Sequence, residues 1–335
     1  MRVFVTGGTG LLGNTVLRQL EAAGHETVAL VRDVPDLRLF DGLSTHFLRG
    51  DLSDVDAIQR GVAESDAVIH SAGLIHLGWT RLRESMQVNR DGTAAIAQAC
   101  RRYDRKLVHV GTVDTLAIGS RAHPANEATP ITAENRQVPC SYVQSKRAGV
   151  GEVLAQVEQG LRATIVHPGF MLGPWDWKPS SGRMLIEVGR SWRPLAPPGG
   201  CSLCDSRDVA AGTIAAIERG GDQGRQFILA GENVTYFQLW TEIAKRMKSR
   251  APLMPTGPAG LWIAGKLGDA FSLVSGKESG DLNSAIVEMS RMFHWYDSSR
   301  AKTELDYTTR HLGETLDDAT MWIQSHHMSR QRIPA

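Results

Sequence analysis

Short β-branched runs alternate with helical patterns through the first half of the chain. Residues 2–6 (RVFVT), 26–31 (ETVALV), 45–49 (THFLR), 67–70 (AVIH), 106–111 (KLVHVG) and 163–167 (ATIVH) read as six strands. Amphipathic patterns at 14–23, 54–63, 80–103 and 141–159 read as helices between them. Strand and helix in alternation predict an α/β fold, a doubly wound parallel sheet. After His167 the regularity breaks into PGFMLGPWDWKPSSGRMLIEV and a Pro-rich stretch at 194–200, where a smaller lobe is expected to begin. A helix at 206–219 and a strand at 226–229 return the chain to the sheet. The expected division is therefore residues 1–168 with 205–232 in one domain, and 169–204 with 233–335 in a discontinuous lobe.

Composition narrows the function classes. The 335 residues are 42% apolar and 22% charged, enough to bury a large core. A net charge of +1 supplies no broad cationic face for phosphate backbones or acidic membranes, so neither nucleic acid nor a membrane is an expected partner. No basic-then-apolar leader opens the chain, which makes a cytoplasmic location the expectation. The apolar stretch 257–276 contains Lys266 and Asp269 and reads as an amphipathic helix rather than a membrane span. Cys100, Cys140, Cys201 and Cys204 include one CxxC, but no second pair follows at zinc-ligand spacing, so no metal is expected and the pair is read as a coincidence in a loop.

The chemistry begins after the first strand. TGGTGLLG sets Gly7, Gly10 and Gly13 as GxxGxxG before a helix. Glycine there permits a tight turn and lets backbone amides approach a pyrophosphate at the positive end of the helix. This is a Rossmann-type dinucleotide signature. At the end of the second strand, where a carboxylate would accept the 2′-hydroxyl of NAD, the chain has Arg32, whose planar cation suits a 2′-phosphate. NADP(H) is favoured and NAD(H) remains possible.

With these motifs the sequence resembles the extended short-chain dehydrogenase/reductase family, in its dihydroflavonol-reductase-like and nucleotide-sugar-epimerase-like branches. The matching stretches are TGGTGLLG at 6–13, Asp51-Leu52, Ser71-Ala72-Gly73, VNRDGT at 88–93, the Tyr142/Lys146 pair, HPG at 167–169 and WYDSSRAKTELDY at 295–307. The resemblance implies cofactor contacts from Gly7, Thr9, Gly10, Leu11, Leu12 and Gly13. It also implies adenine contacts from Asp51 and Leu52, ribose and phosphate contacts from Ser71, Ala72 and Gly73, and nicotinamide contacts from Pro168 and Lys146. Tyr142 would be the general acid/base and Lys146 its partner. The substrate-carbonyl ligand would be Thr112, with Thr115 in reserve, because Gly111-Thr112 stands where the family has Ser-Ser. A homodimer through the helices at 80–103 and 141–159 is a further expectation of the resemblance.

Elementary electrostatics agrees. A phenol titrates near 10, so work at neutrality asks about 4 kcal/mol in favour of its anion, and a cation about 4 Å away at an effective dielectric of about 20 supplies that much. Residues at i and i+4 share one helix face, which brings Lys146 toward Tyr142. The substrate side is sparser: His76, Trp79, Asp114, Met171 and Trp175 are the candidates, Trp175 flanked by Asp176, Trp177 and Lys178.

Three departures choose among branches. Thr112-Val113-Asp114 is out of register with the Thr-Asp-Glu of sugar-nucleotide dehydratases, Arg32 replaces the acid of NAD-retaining epimerases, and the parts a reductase needs are all present. The leading expectation is NADP(H)-dependent reduction of a carbonyl, or oxidation of a secondary alcohol, on a cyclic or sugar-like molecule. The alternatives are a nucleotide-sugar epimerase with tightly bound NAD and a non-catalytic dinucleotide-responsive regulator. Tyr142 and Lys146, which a regulator does not need, argue against the last.

Overall fold

The computed structural model describes residues 1–33, 36–257 and 283–328. The amphipathic helix read at 257–276 falls, apart from Gly257, outside the described residues. The chain runs β1 (Arg2–Thr6), α1 (Leu11–Ala22), β2 (Glu26–Val31), β3 (His46–Arg49), α2 (Val55–Ala63), β4 (Ala67–His70), α3 (Leu82–Met86), α4 (Gly92–Arg102), β5 (Lys106–Val110), α5 (Ser141–Val157) and β6 (Ala163–Pro168). The seven-stranded parallel sheet has the order β10-β6-β5-β4-β1-β2-β3, where β10 is Gln223–Leu229. Its strands are apolar almost throughout because helices cover both faces: Val3, Phe4, Val5, Val68 and Ile69 are fully buried. Strand order reverses between β1 and β4, and the crevice beyond their C-terminal ends is where such sheets bind ligands.

The remaining elements build a second sheet. β7 (Phe170–Leu172) and β13 (Phe293–His294) pair parallel with β9 (Gly200–Asp205), and β11 (Glu232–Thr235) pairs with it antiparallel. Between them lie α6 (Arg183–Arg190), β8 (Leu195–Ala196) and α7 (Ser206–Arg219); α8 (Tyr236–Met247) and β12 (Met254–Pro255) follow. β9 runs straight into α7, whose first turn is capped by the Asp205 carboxylate accepting from Arg207 N at 2.8 Å. α7 packs with α1 over one sheet face before β10 joins the sheet edge. A separate apolar core joins α6, α8 and the helix Leu312–Ile323 through Leu185, Leu239, Ile243 and Leu316.

Two local readings change. The helix expected at 80–103 is a helical run from Leu82 to Arg102, widened by a π turn at Gln87–Asp91, and Arg81 before it sits at φ +56°. Cys201 and Cys204 lie on the buried strand β9 rather than in a loop. Three residues apart on a strand, they point to opposite faces, Cys201 into the lobe core and Cys204 toward α7. Burial pushes both thiols up, opposite to what a reactive pair needs. Among the described residues no helix is long and apolar enough to cross a membrane, and no cluster of three or more His, Cys, Asp or Glu could hold a metal.

Candidate active site

The loop between β1 and α1 is shaped for backbone approach. Gly7 sits at φ +80°, and a Cβ there would lie 2.7 Å from Ala72 N and 2.8 Å from Ser71 Oγ. A Cβ on Gly13 would lie 2.2 Å from Gly7 O, whereas one on Gly10 would meet only Gly7 O at 3.4 Å. Gly10 therefore faces open space. No side chain caps α1, which leaves its first-turn amides to an anion, and the side chains of Leu11 and Leu12 point into the core. Thr9 is half-buried beside them. These features fit a dinucleotide pyrophosphate.

Hydrogen bonds weld this loop to the turn after β4. Ser71 Oγ donates to Thr6 O at 2.7 Å, and Ala72 N donates to Thr6 Oγ1 at 3.2 Å. Asn89, in the π turn, accepts from Leu74 N at 2.7 Å and donates to Leu74 O and Ser145 Oγ, both at 2.9 Å. It thereby fixes the segment after Gly73 against α5 next to Lys146. Asn89 lies inside VNRDGT, but the motif alone assigns it no partner.

A cleft of about 410 Å³ beside the ends of β2 and β3 is lined by Arg32, Arg49, Gly50, Asp51, Ser53 and Asp54. The parallel register sets Val31 opposite Arg49, so two guanidinium groups converge where one was expected. Asp51 Oδ1 accepts from Ser53 Oγ at 2.6 Å and Ser53 N at 2.7 Å, which holds the carboxyl below its usual range, with Arg32 adding to the effect. Asp54 caps α2 by accepting from Ala57 N at 2.9 Å. Both carboxylates are committed to local backbone. Leu52 is half-buried and packs under Gly92.

Tyr142 and Lys146 stand on the first turns of α5. The turn is held by the loop after β4: Tyr142 N donates to His76 O at 3.2 Å, Ser141 N to Gly78 O at 2.9 Å, and Ser141 Oγ to Thr80 O at 2.5 Å. Lys146 is 6% exposed and its Nζ donates to Val110 O at 2.6 Å at the end of β5. Burial lowers it to about 8. The Thr112 hydroxyl, two residues past β5, is near enough to the Tyr142 phenol to favour its anion. Thr115 Oγ1 instead donates to Thr112 O at 2.8 Å and is buried, so its hydroxyl is consumed in shaping the turn. Pro168 closes β6 across the crevice.

The expected downward pull on Tyr142 is not what this geometry produces. Burial raises the phenol above its ordinary value, the Asp114 carboxylate raises it further, and the Thr112 hydroxyl opposes both only in part. Desolvation sets the direction for the phenol, and the same burial disfavours the charge of Lys146. The phenol is a proton donor at neutral pH.

Asp114 and His294 complete the cluster. Thr112 Oγ1 donates to Asp114 Oδ2 at 3.3 Å, and Asp114 Oδ1 lies 3.5 Å from His294 Nδ1 on β13. Burial raises the Asp114 carboxyl, and His294 opposes the rise. His294 is 180 residues further along the chain, and only the pairing of β13 with β9 brings it here.

The remaining substrate candidates separate. Trp79 is half exposed and its Nε1 donates to Ser284 Oγ at 2.8 Å, and His76 Nε2 lies 3.1 Å from Thr80 Oγ1. Met171 is paired opposite Cys204 and packs on the core around α7. Trp175, at φ +66°, covers the Arg18 guanidinium at 5.0 Å and meets Trp322 edge-on at 6.5 Å. It ties the lobe to α1 as an anchor, and its reading as a substrate face gives way to that role. Next to it, Asp176 is 2% exposed and burial raises its carboxyl to about 6. A folded value above the unfolded one costs stability at neutral pH, a cost that fades as pH falls from about 6 to about 4. Asp176→Asn is expected to raise stability by about 2 kcal/mol at pH 7 and to leave it unchanged near pH 4, read from urea melts at both values.

The fold and crevice define a dinucleotide-binding α/β enzyme. A sequence profile of the NAD dependent epimerase/dehydratase family matches residues 3–230, and the chain belongs to that family, within the extended short-chain dehydrogenases/reductases. It is an NAD(P)-dependent oxidoreductase. A Synechocystis sp. protein described as a dihydroflavonol 4-reductase is 30% identical, covering 96% of this chain and 94% of its own. Sterol demethylase protein B of Methylococcus capsulatus is 26% identical over 98% and 100% of the two chains. The crystal structure of gox2253 superposes with a TM-score of 0.83 at 29% identity, covering 97% and 98%.

Proposed function

We propose that this enzyme is an NADP(H)-dependent reductase of a carbonyl on a cyclic or sugar-like small molecule, running also as the reverse alcohol oxidation. The observation that carries the reading is the placement of Tyr142 and Lys146 on the first turns of α5, with Lys146 Nζ on the carbonyl at the end of β5 and Thr112 just past that strand, beside a glycine cradle. Bound NADPH would supply the hydride. Tyr142 gives its proton to the carbonyl oxygen, and the Thr112 hydroxyl, turning its one hydrogen from Asp114 Oδ2, donates to the same oxygen. Lys146 holds the nicotinamide ribose and steadies the phenolate left behind. The description of the Synechocystis relative supports reduction. A screen of ketones and secondary alcohols with NADPH and NADP, followed at the nicotinamide absorbance, tests it. Absence of turnover that depends on Tyr142, or purified protein that retains NAD tightly, would overturn it in favour of epimerisation.

The preference for NADP(H) rests on Arg32, now with Arg49 lining the same cleft. A 2′-phosphate bound between them makes charge-assisted hydrogen bonds that NADH cannot make. Arg32→Ala is expected to weaken NADPH binding about tenfold or more and to change NADH binding far less, measured by quenching of intrinsic fluorescence. Equal losses for both dinucleotides would remove the preference. The same reading carries a cytoplasmic homodimer joined through the outer faces of α4 and α5; a sedimentation mass equal to one chain would remove the dimer.

A further inference from the structure

The segment into β8 and the turn into β12 leave large apolar side chains bare on the lobe. Trp192, Leu195, Leu253 and Met254 are 47%, 45%, 69% and 57% exposed. They are joined in space: Leu253 N donates to Pro194 O at 2.8 Å, Met254 pairs with Leu195 across the parallel β8–β12 ladder, and Trp192 Nε1 donates to Ala251 O at 3.2 Å. Ladder partners carry their side chains on one face, so Leu195 and Met254 lie side by side. Exposed apolar residues scattered singly are ordinary. Four of them held together by a strand ladder and hydrogen bonds form a contiguous patch, which marks an interaction surface.

The two segments that carry the patch supply only cations. Residues 188–204 and 243–257 contain Arg190, Arg193, Lys245, Arg246, Lys248 and Arg250 and no Asp or Glu. Arg193 is neutralised by Glu187, and Arg246 by Glu242 and Asp317. The Arg250 guanidinium instead lies 5.7 Å over the Trp192 ring. Lys248, at the left-handed turn that ends α8, and Arg250 are both exposed, and no carboxylate among the described residues pairs with either. Net charge alone argues against a membrane partner. The local distribution of charge argues for one, because an overall +1 conceals this excess.

The chemistry of the patch selects its occupant. A second copy docking through the same face would set Lys248 and Arg250 against their own duplicates, since a two-fold interface brings like surfaces together. A folded acidic partner would need pockets matched to side chains that project into solvent. An anionic bilayer needs neither: headgroups neutralise Lys248 and Arg250, and the soft acyl boundary takes Leu195, Leu253 and Met254. Trp192, its polar Nε1 already satisfied by Ala251 O, suits the interfacial level where tryptophan is favoured. We propose that this face of the lobe docks on an anionic membrane surface and holds the enzyme there peripherally. None of its residues belongs to the glycine loop, α4 or α5, so docking is separable from cofactor binding.

The test mixes the full-length protein with sedimentable vesicles of phosphatidylcholine alone or with about 30% phosphatidylglycerol. Co-sedimentation is expected to be at least about tenfold stronger with the anionic vesicles and to fall away at about 0.5 M salt. Leu253→Ser/Met254→Ser and Lys248→Gln/Arg250→Gln should each weaken it about tenfold, with urea midpoints at the wild-type value showing an intact fold. The two variants probe the same face independently, so poor folding of one leaves the other decisive. Absence of binding to anionic vesicles, or binding that survives either double substitution in a folded protein, overturns the proposal. So does a concentration-dependent rise in sedimentation mass that Leu253→Ser/Met254→Ser abolishes, which would give the face to a second copy.

Discussion

Tyr142→Phe is expected to lower turnover by about 10²–10⁴-fold while the dinucleotide Kd changes by less than about threefold. The substitution keeps the ring that packs with Leu77, Val138, Cys140 and Val143 and removes only the hydroxyl. Loss should fall on kcat and kcat/KM alike, since the proton transfer is made only in the transition state. Because burial and Asp114 hold the phenol above its ordinary value, reduction has its proton donor in place at neutral pH. Oxidation needs the phenolate, so its rate should climb as pH rises from 7 to 10. Steady-state rates in both directions with nicotinamide absorbance check this; activity within tenfold of wild type would remove Tyr142 from the chemistry.

Acid unfolding is the second large expected effect. His70, His109 and His167 are buried at the C-terminal ends of β4, β5 and β6, and burial lowers all three, His70 to about 3 and His167 to about 4. His70 is held neutral between Thr6 Oγ1 at 2.7 Å and Thr93 Oγ1 at 3.0 Å. The nearby Lys146 charge adds to the lowering. The folded state binds fewer protons than the unfolded chain, whose histidines titrate near 6.5. The stability these groups permit is therefore complete above about pH 6.5 and is lost as pH falls toward 4 and then 3. For His70 and His167 together the loss is on the order of 8 kcal/mol, comparable to the whole stability of an ordinary domain. Urea midpoints at pH 7, 5.5 and 4 should fall steeply for the wild type, and less steeply for His70→Asn/His167→Asn despite its lower stability at pH 7. Parallel slopes would mean that the histidines do not drive acid unfolding.

The large sheet was legible because its strands are short β-branched runs between glycine and helix signals, and length, flanks and β-branching distinguish such runs from helices where period alone does not. All six runs form strands within a residue at either end, and the segment read at 226–229 extends back to Gln223. The lobe was less legible. Its strands are two to six residues long and draw partners from four distant segments, so no window contains the pairing. The CxxC and the tryptophans show the same difficulty, since their roles depend on which face of β9 or which helix they meet.

Within the candidate site, the glycine loop, Arg32, Thr112, Tyr142 and Lys146 could be read locally, because each is tied to the end of a strand or the start of a helix. Arg49 carried no signal: it is one more cation at the end of a strand until the β2–β3 register sets it beside Arg32. His294 had none either. The sequence by itself determined the dinucleotide loop, the parallel sheet and the tyrosine–lysine pair, because backbone geometry and helical period act over a few residues. Only the tertiary structure decided which way Tyr142 titrates, which threonine hydroxyl reaches it, and that Asp114 meets a histidine from the far end of the chain. Desolvation and long-range pairing exist only once the lobe has closed over the sheet.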